Sequence, residues 1–461
     1  MFIAILVACA LLLLGALLRS RVPGLRRVAM PASLVGGLVG LLIIKLVGWG
    51  ALESPVESAV AGALVECQRT FRSWPIFLVA VIFAGLLLDR RRSSSGNAFR
   101  GALREGVIVW IIVLGQVFLG ILVTWLLISP ATGVPVVFGH LIEIGWAGGH
   151  GTAAALGAVF AESETFPEGR DLSMFMATAG LLAAVVLGVL YVNIAIHRGW
   201  TATARRAVSI EAVEEAESVL PGATTAIAPR SGRLPTEAVD PLALQCALVG
   251  LALGLGWLLQ SGFVLAGQRL LDADLVAFVE KIPLFLFSLV GGLLIRWTLA
   301  LCRSSHLVDG AAIRRIMATA MEFLIVAALA SLQIEVVLEH AFGLSILIAI
   351  ACVWTTFCLF VLSPHLLPRR HWFELGIINY GMSTGTTAQG MMLLRMVDAE
   401  LETDAAQEYA LGAPFSAPFI GGGVLTVAMP FILDRVGPVL VIVVSGVLLI
   451  GLYAMARWLR E

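Results

Sequence analysis

The feature that most constrains this chain is its run of long stretches without a single charge. Phe2 to Leu18, Gly106 to Ile142 and Val436 to Ala456 are examples. At a rise of about 1.5 Å per residue, roughly 20 such residues cross a hydrocarbon core. Helices apolar on every face find no matching cover in a water-soluble fold. Composition agrees, with 59% hydrophobic and 13% charged residues and a mean hydropathy of +0.97. The expected class is an all-α polytopic membrane protein with lipid as its surroundings. A secreted enzyme and a disordered scaffold are disfavoured, and a net charge of −1 gives no field for nucleic acid.

Spans are expected near 2–18, 31–50, 74–88, 105–128 and 172–197, then 241–260, 281–302, 313–333, 342–363 and 409–433, with a last one at 437–456. The stretches 133–160 and 373–396 differ, being rich in Gly, Thr, Ser and Ala and carrying His150, Asn379 and Gln389. Both are read as re-entrant hairpins. With the N-terminus outside and neither hairpin crossing, most arginines fall on the cytoplasmic side, and only Arg69, Arg72, Arg170, Arg269 and Arg435 lie in outer loops. Basic residues follow the first apolar stretch instead of preceding it, which marks a retained span and not a cleaved signal. Segment 198–240, with Pro221, Pro229 and Pro235, reads as a cytoplasmic linker.

The linker separates two similar halves. Ser33-Leu34-Val35-Gly36-Gly37-Leu38 recurs as Ser288-Leu289-Val290-Gly291-Gly292-Leu293, and Gly151-Thr152-Ala153-Ala154 is echoed by Gly385-Thr386-Thr387-Ala388. Five spans per half is an odd number, so the halves insert with opposite topology, an inverted repeat. The expected organisation is a first repeat at 1–197, the linker, a second repeat at 241–433 and an extra helix at 434–461.

Gly-dense backbone inside a bilayer frees N–H and C=O groups that must meet protein, water or a ligand. Half-helix N-termini suit an anion, and free carbonyls with hydroxyls suit a hard cation such as Na⁺. The alternative for such glycines is close helix packing. The candidate substrate-binding residues are Gly148, Gly149, His150, Gly151, Thr152, Ser383, Thr384, Gly385, Thr386, Thr387, Gln389 and Arg395. The candidate cation ligands are Asn379, Thr386, Thr152 and Glu322. Glu322, a carboxylate at depth, either couples a cation or proton or pairs with a polar neighbour. Arg395 either meets a substrate carboxylate or pairs with Asp398. Gln116 and Asn193 are read as interhelical hydrogen-bonders, and Glu143 as reaching outer water. His150 has no second histidine at ligand spacing, and the six cysteines form no CxxC pair, so no transition-metal site is expected. No Ser–His–Asp set and no HExxH motif points to an enzyme.

The string Gly148-Gly149-His150-Gly151-Thr152-Ala153-Ala154-Ala155 resembles the first re-entrant motif of the bacterial sodium/glutamate symporter family. The likeness extends to the order of elements along nearly the whole chain. It implies Na⁺-coupled uptake of L-glutamate across the inner membrane, a homodimer, and an elevator-like motion of a hairpin-bearing domain. Gly148 to Thr152 then stand for the first substrate and cation motif, and Gly381 to Gln389 for the second. The chain departs from that pattern in having Ala147 before the Gly-Gly, Ser383-Thr384-Gly385-Thr386-Thr387-Ala388 in the second hairpin, and a final additional span. The expected function is therefore a Na⁺ symporter for glutamate or a related small organic anion. A proton-coupled or exchange carrier is the alternative.

Overall fold

The computed structural model describes residues 2–23, 30–50, 55–88, 99–201, 240–270, 284–398, 403–412 and 415–460. The linker stretch 202–239 lies outside them. The described residues are helical, with no strand among them. In chain order the main helices are α1 (Phe2–Arg21), α2 (Ala32–Gly50), α3 (Pro55–Leu88), α4 (Phe99–Val123), α5 (Gly149–Ala161), α6 (Gly169–His197) and α7 (Pro241–Leu270). They continue as α8 (Leu284–Leu301), α9 (Gly310–Ala330), α10 (Ala341–Phe357), α11 (Trp372–Thr384), α12 (Thr387–Val397), α13 (Ala405–Gly412) and α14 (Val424–Arg460). Six helical stretches among the described residues are long and apolar enough to cross a membrane. The fold is that of an all-helical protein built for a membrane.

The chain divides into two compact units. One holds α1–α3 and α7–α9. Its helices start where sequence chemistry dictates. The Asp240 carboxylate accepts from the Leu242 and Ala243 N–H groups, and the Asp309 carboxylate accepts from Ala311 and Ala312. The paired glycines of the six-residue match make matching contacts. A methyl on Gly36 would strike the Leu11 carbonyl of α1, and one on Gly291 would strike the Ala252 carbonyl of α7. The second glycine of each pair faces the third helix of the other half: Gly37 meets Leu329 of α9, and Gly292 meets the Ala84 carbonyl of α3. Ala8, Leu11, Phe71 and Val326 are buried together where α1, α3 and α9 pack.

The other unit holds α4–α6 and α10–α14. Two copies of one pattern occur in it. After α4 comes a π turn at Thr124–Ile128 and then Ser129-Pro130; after α10 comes a π turn at Cys358–Leu362 and then Ser363-Pro364. The same interval in sequence separates Gly151 from Gly385. Proline at the start of a helical turn loses no helical hydrogen bond, so Ser-Pro re-starts each helix past the π turn.

Several expected spans change in detail. α3 begins at Pro55, well before the expected 74, because Glu57, Glu66, Arg69 and Arg72 continue the helix beyond the apolar window. The expected span 409–433 is not one helix: α13 ends at Gly412, residues 415–423 are irregular, and α14 starts at Val424. The stretch Val424–Arg460, labelled α14, is two helices that meet at Gly437, whose φ of 78° and ψ of 165° are non-helical, next to Pro438. The expected last span at 437–456 therefore begins at a break in the helix.

Candidate functional site

The stretch 133–160 is a broken helix. A 3-10 turn at Val136–His140 and a π turn at Glu143–Ala147 lead into α5. The break falls at Gly148 and Gly149, and Gly149 takes φ +66°, a conformation cheap only for glycine. The stretch 373–396 is a tight helical hairpin, α11 turning into α12 at Gly385 and Thr386. A methyl on Gly381 would sit 2.6 Å from Gly390 Cα, which shows how closely the two arms pack. Thr386 caps α12, its hydroxyl oxygen accepting from the Gln389 N–H at 3.4 Å and donating to Gln389 Oε1 at 2.5 Å.

These two breaks meet. A methyl on Gly149 would lie 3.0 Å from the Gly385 carbonyl oxygen. Gly180 of α6 is sandwiched between them: a methyl there would collide with the Thr384 carbonyl and lie 2.9 Å from Trp146 Cδ1. The sequence candidates Gly148, Gly149, His150, Gly151 and Thr152 are thus brought beside Ser383, Thr384, Gly385 and Thr386. His150 is buried, and its Nε2 lies 3.2 Å from the Thr178 hydroxyl of α6. That bond orients the imidazole within the protein. Thr152 donates to the Gly148 carbonyl at 2.9 Å. Gln389 is buried against the cap, whereas Thr387 is exposed.

Two candidates fall elsewhere. Arg395 is exposed on the last turn of α12, roughly 13 Å along the helix from Thr386 at 1.5 Å per residue. Asp398 instead accepts from the Thr403 N–H and hydroxyl at 2.9 and 2.6 Å. Glu322 is exposed on α9 and belongs to the unit that lacks the breaks.

A third broken segment joins the pair, and sequence reasoning missed it. Residues 415–423 bring Gly421, at φ +64°, within 3.3 Å (from a methyl placed there) of the Ala147 carbonyl, and Gly422, at φ +100°, against the Thr152 hydroxyl. Glu143 anchors this segment. Its Oε1 accepts from the Gly421 N–H at 2.8 Å and from the Thr426 hydroxyl at 2.7 Å, and His140 Nε2 stands 3.0 Å from the Thr426 carbonyl. Glu143 therefore does not reach outer water; it closes the start of α14. The run Gly421-Gly422-Gly423 was the available signal. Gln116 links α4 to the second break, donating to the Ser383 carbonyl at 2.7 Å, as its polarity predicted. Asn193 instead donates to Val189 within its own helix, because an exposed amide finds the near carbonyl first.

Around this junction, buried polar atoms stand open. Trp146 Nε1 and Gln116 Oε1 have no hydrogen-bond partner among the described residues, and Glu143 Oε2 has only His140 Nε2 at 3.5 Å. Nearer the start of α4, Glu408 of α13 accepts from Arg104 Nη2 at 2.7 Å and from His371 Nε2 at 3.2 Å. Burial pushes the Glu408 carboxyl upward, but the His371 hydrogen bond and the Arg104 charge outweigh it and hold the group below its ordinary range. Among the described residues no group of three or more His, Cys, Asp or Glu side chains is placed to hold a metal ion. Set against protein-family models and against curated proteins, the chain matches none.

Proposed function

We propose that this protein is a secondary active transporter that couples Na⁺ to the symport of L-glutamate or a related small organic anion. The observation that carries the reading is the meeting of two helix breaks, joined by a third, around buried polar atoms left open. Such atoms are costly in an apolar surrounding unless a polar solute or water meets them. α5 and α12 both begin at this junction, and their N-terminal ends favour an anion. Carbonyls at Ala147, Thr384 and Gly385 and hydroxyls at Thr152 and Thr386 are hard donors suited to Na⁺.

The like contacts that Gly36 and Gly291 each make with the preceding helix, and the recurring π turn with Ser-Pro, support an internal repeat. Opposite insertion of the two copies follows from the charge distribution. The two stretches then enter as re-entrant loops from opposite sides. The N-terminus lies outside and the linker and C-terminus lie in the cytoplasm, in the inner membrane. All three breaks fall in one compact unit, which supports an elevator-like cycle; the homodimer is part of the proposal as the resemblance implies it.

Bringing a net −1 solute into a negative interior costs about 2.3 kcal/mol per 100 mV. One Na⁺ cancels that term, and two let the potential drive uptake. Purified protein in proteoliposomes with an inward Na⁺ gradient is expected to accumulate labelled glutamate or a related anion above a choline control. Equal accumulation in Na⁺ and choline across a panel of amino acids and dicarboxylates would refute the coupling.

A further inference from the structure

Glu105 and Asn379 lie apart from the three breaks, yet each is fully buried. Glu105 sits in the second turn of α4 and Asn379 in the middle of α11. The two side chains are neighbours. Neither carboxylate oxygen of Glu105 and neither amide atom of Asn379 completes a hydrogen bond among the described residues. The charges nearby are already matched, since Arg104 pairs with Glu408 and His371 joins them. The Tyr409 hydroxyl, also close to Glu105, stands 3.3 Å from the Thr387 hydroxyl. The Arg104 charge is felt at Glu105, but its guanidinium bonds Glu408, so Glu105 is a buried carboxylate without a hydrogen-bonded counter-charge, an arrangement that is unfavourable when left bare.

The open atoms include three hard oxygens, two from Glu105 and one from Asn379, the donor type a small alkali cation takes. We propose that Glu105 and Asn379 form a monovalent-cation site, and that Na⁺ is its occupant. The proposal rests on the carrier reading above and adds to it an ion site separate from the donors at the breaks. Gly385 ends the same helix about 9 Å beyond Asn379. An ion held here ties α11 to α4 and so sets the position of the second break. A proton would also cancel the charge, but it needs a single acceptor and leaves the remaining oxygens open.

The test uses the full chain in detergent. Its thermal midpoint is followed as NaCl replaces choline chloride at constant ionic strength, for the parent, Glu105→Gln and Asn379→Ala. The parent midpoint is expected to rise with Na⁺. Glu105→Gln, which removes the charge but keeps the shape, is expected to fold with an undiminished midpoint in choline and to lose about tenfold or more in apparent Na⁺ affinity. Asn379→Ala should shift Na⁺ affinity in the same direction. An unchanged Na⁺ response in Glu105→Gln overturns the site. A parent that is stabilised by acid but not by Na⁺, with Glu105→Gln blind to both, assigns a proton and likewise overturns it. Proteoliposome uptake separates the two claims. Na⁺-driven uptake with the same Na⁺ dependence in Glu105→Gln sinks this site alone, whereas no Na⁺-driven uptake by the parent sinks the carrier reading.

Discussion

The two copies of the pattern in the break-bearing unit begin alike and end differently. Each has a long apolar helix, a π turn, Ser-Pro and then a break at glycine. In the first copy the break is a single left-handed glycine between a π turn and α5, and the helix that follows, α6, runs unbroken from Gly169 to His197. In the second copy the break is a hairpin between α11 and α12, and the counterpart of α6 is itself interrupted between α13 and α14. The interruption is the part that reaches back to the first copy, through Gly421, Gly422 and Glu143. A repeat can keep its chemistry at the break while one copy gives up a continuous helix to close the other. The cost is a set of backbone groups that side chains must satisfy.

The sharpest way to break this contrast is Glu143→Ala. It leaves the Gly421 N–H and the Thr426 hydroxyl without their acceptor. Each buried donor left open costs about 1–3 kcal/mol, so the largest drop in thermal midpoint is expected here. Glu143→Gln, which keeps an acceptor oxygen, should lose less. A Glu143→Ala protein as stable as its parent would mean that the interrupted segment is held by something else.

The two breaks themselves are expected to respond unequally to a methyl group. Gly149→Ala places a side chain at φ +66° and 3.0 Å from the Gly385 carbonyl, at a conformational cost of about 1–2 kcal/mol. Gly385→Ala meets the end of the Gln389 side chain at 2.9 Å and Ala184 Cβ at 3.2 Å, a contact cost without the positive-φ cost, since Gly385 is not among the positive-φ glycines. Unfolding midpoints of the two variants, measured side by side, should place Gly149→Ala lower. The reverse order would move the more rigid break to the second copy.

The smallest effect concerns α13, the first part of that interrupted counterpart. The Glu408 carboxyl is held below its ordinary range in the folded state. Its stabilisation is therefore complete above the usual carboxylate range and is lost as pH falls through the lowered value. The group is part-exposed, so the change should stay under about 1 kcal/mol. Thermal scans from neutral to acid pH are expected to show the parent losing stability more steeply than Glu408→Gln. Parallel curves would remove Glu408 from the account of how α13 is held.

Much of the fold was legible because helix length and apolarity are local properties. The first break was readable from Gly148-Gly149 and the second from Gly385-Thr386, since glycine density and a capping threonine act within a few residues. The six-residue match was readable too, and the contacts of Gly36 and Gly291 give it a packing reason. Glu322 and Arg395 illustrate the opposite case. Their charge drew notice at membrane depth, but charge in a sequence carries no address, and both side chains are exposed in the chain. Glu143 was expected to reach outer water and Glu105 drew no notice, and only their distant partners reveal that both are buried.

Sequence alone determined that the chain is helical and suited to a membrane, and where two of its helices break, because hydropathy and glycine content act over one or two turns. Tertiary structure decided which breaks touch, which carboxylates are enclosed, and that residues near 420 close over a motif near 148. Those facts depend on contacts between residues hundreds of positions apart, and no local preference encodes them.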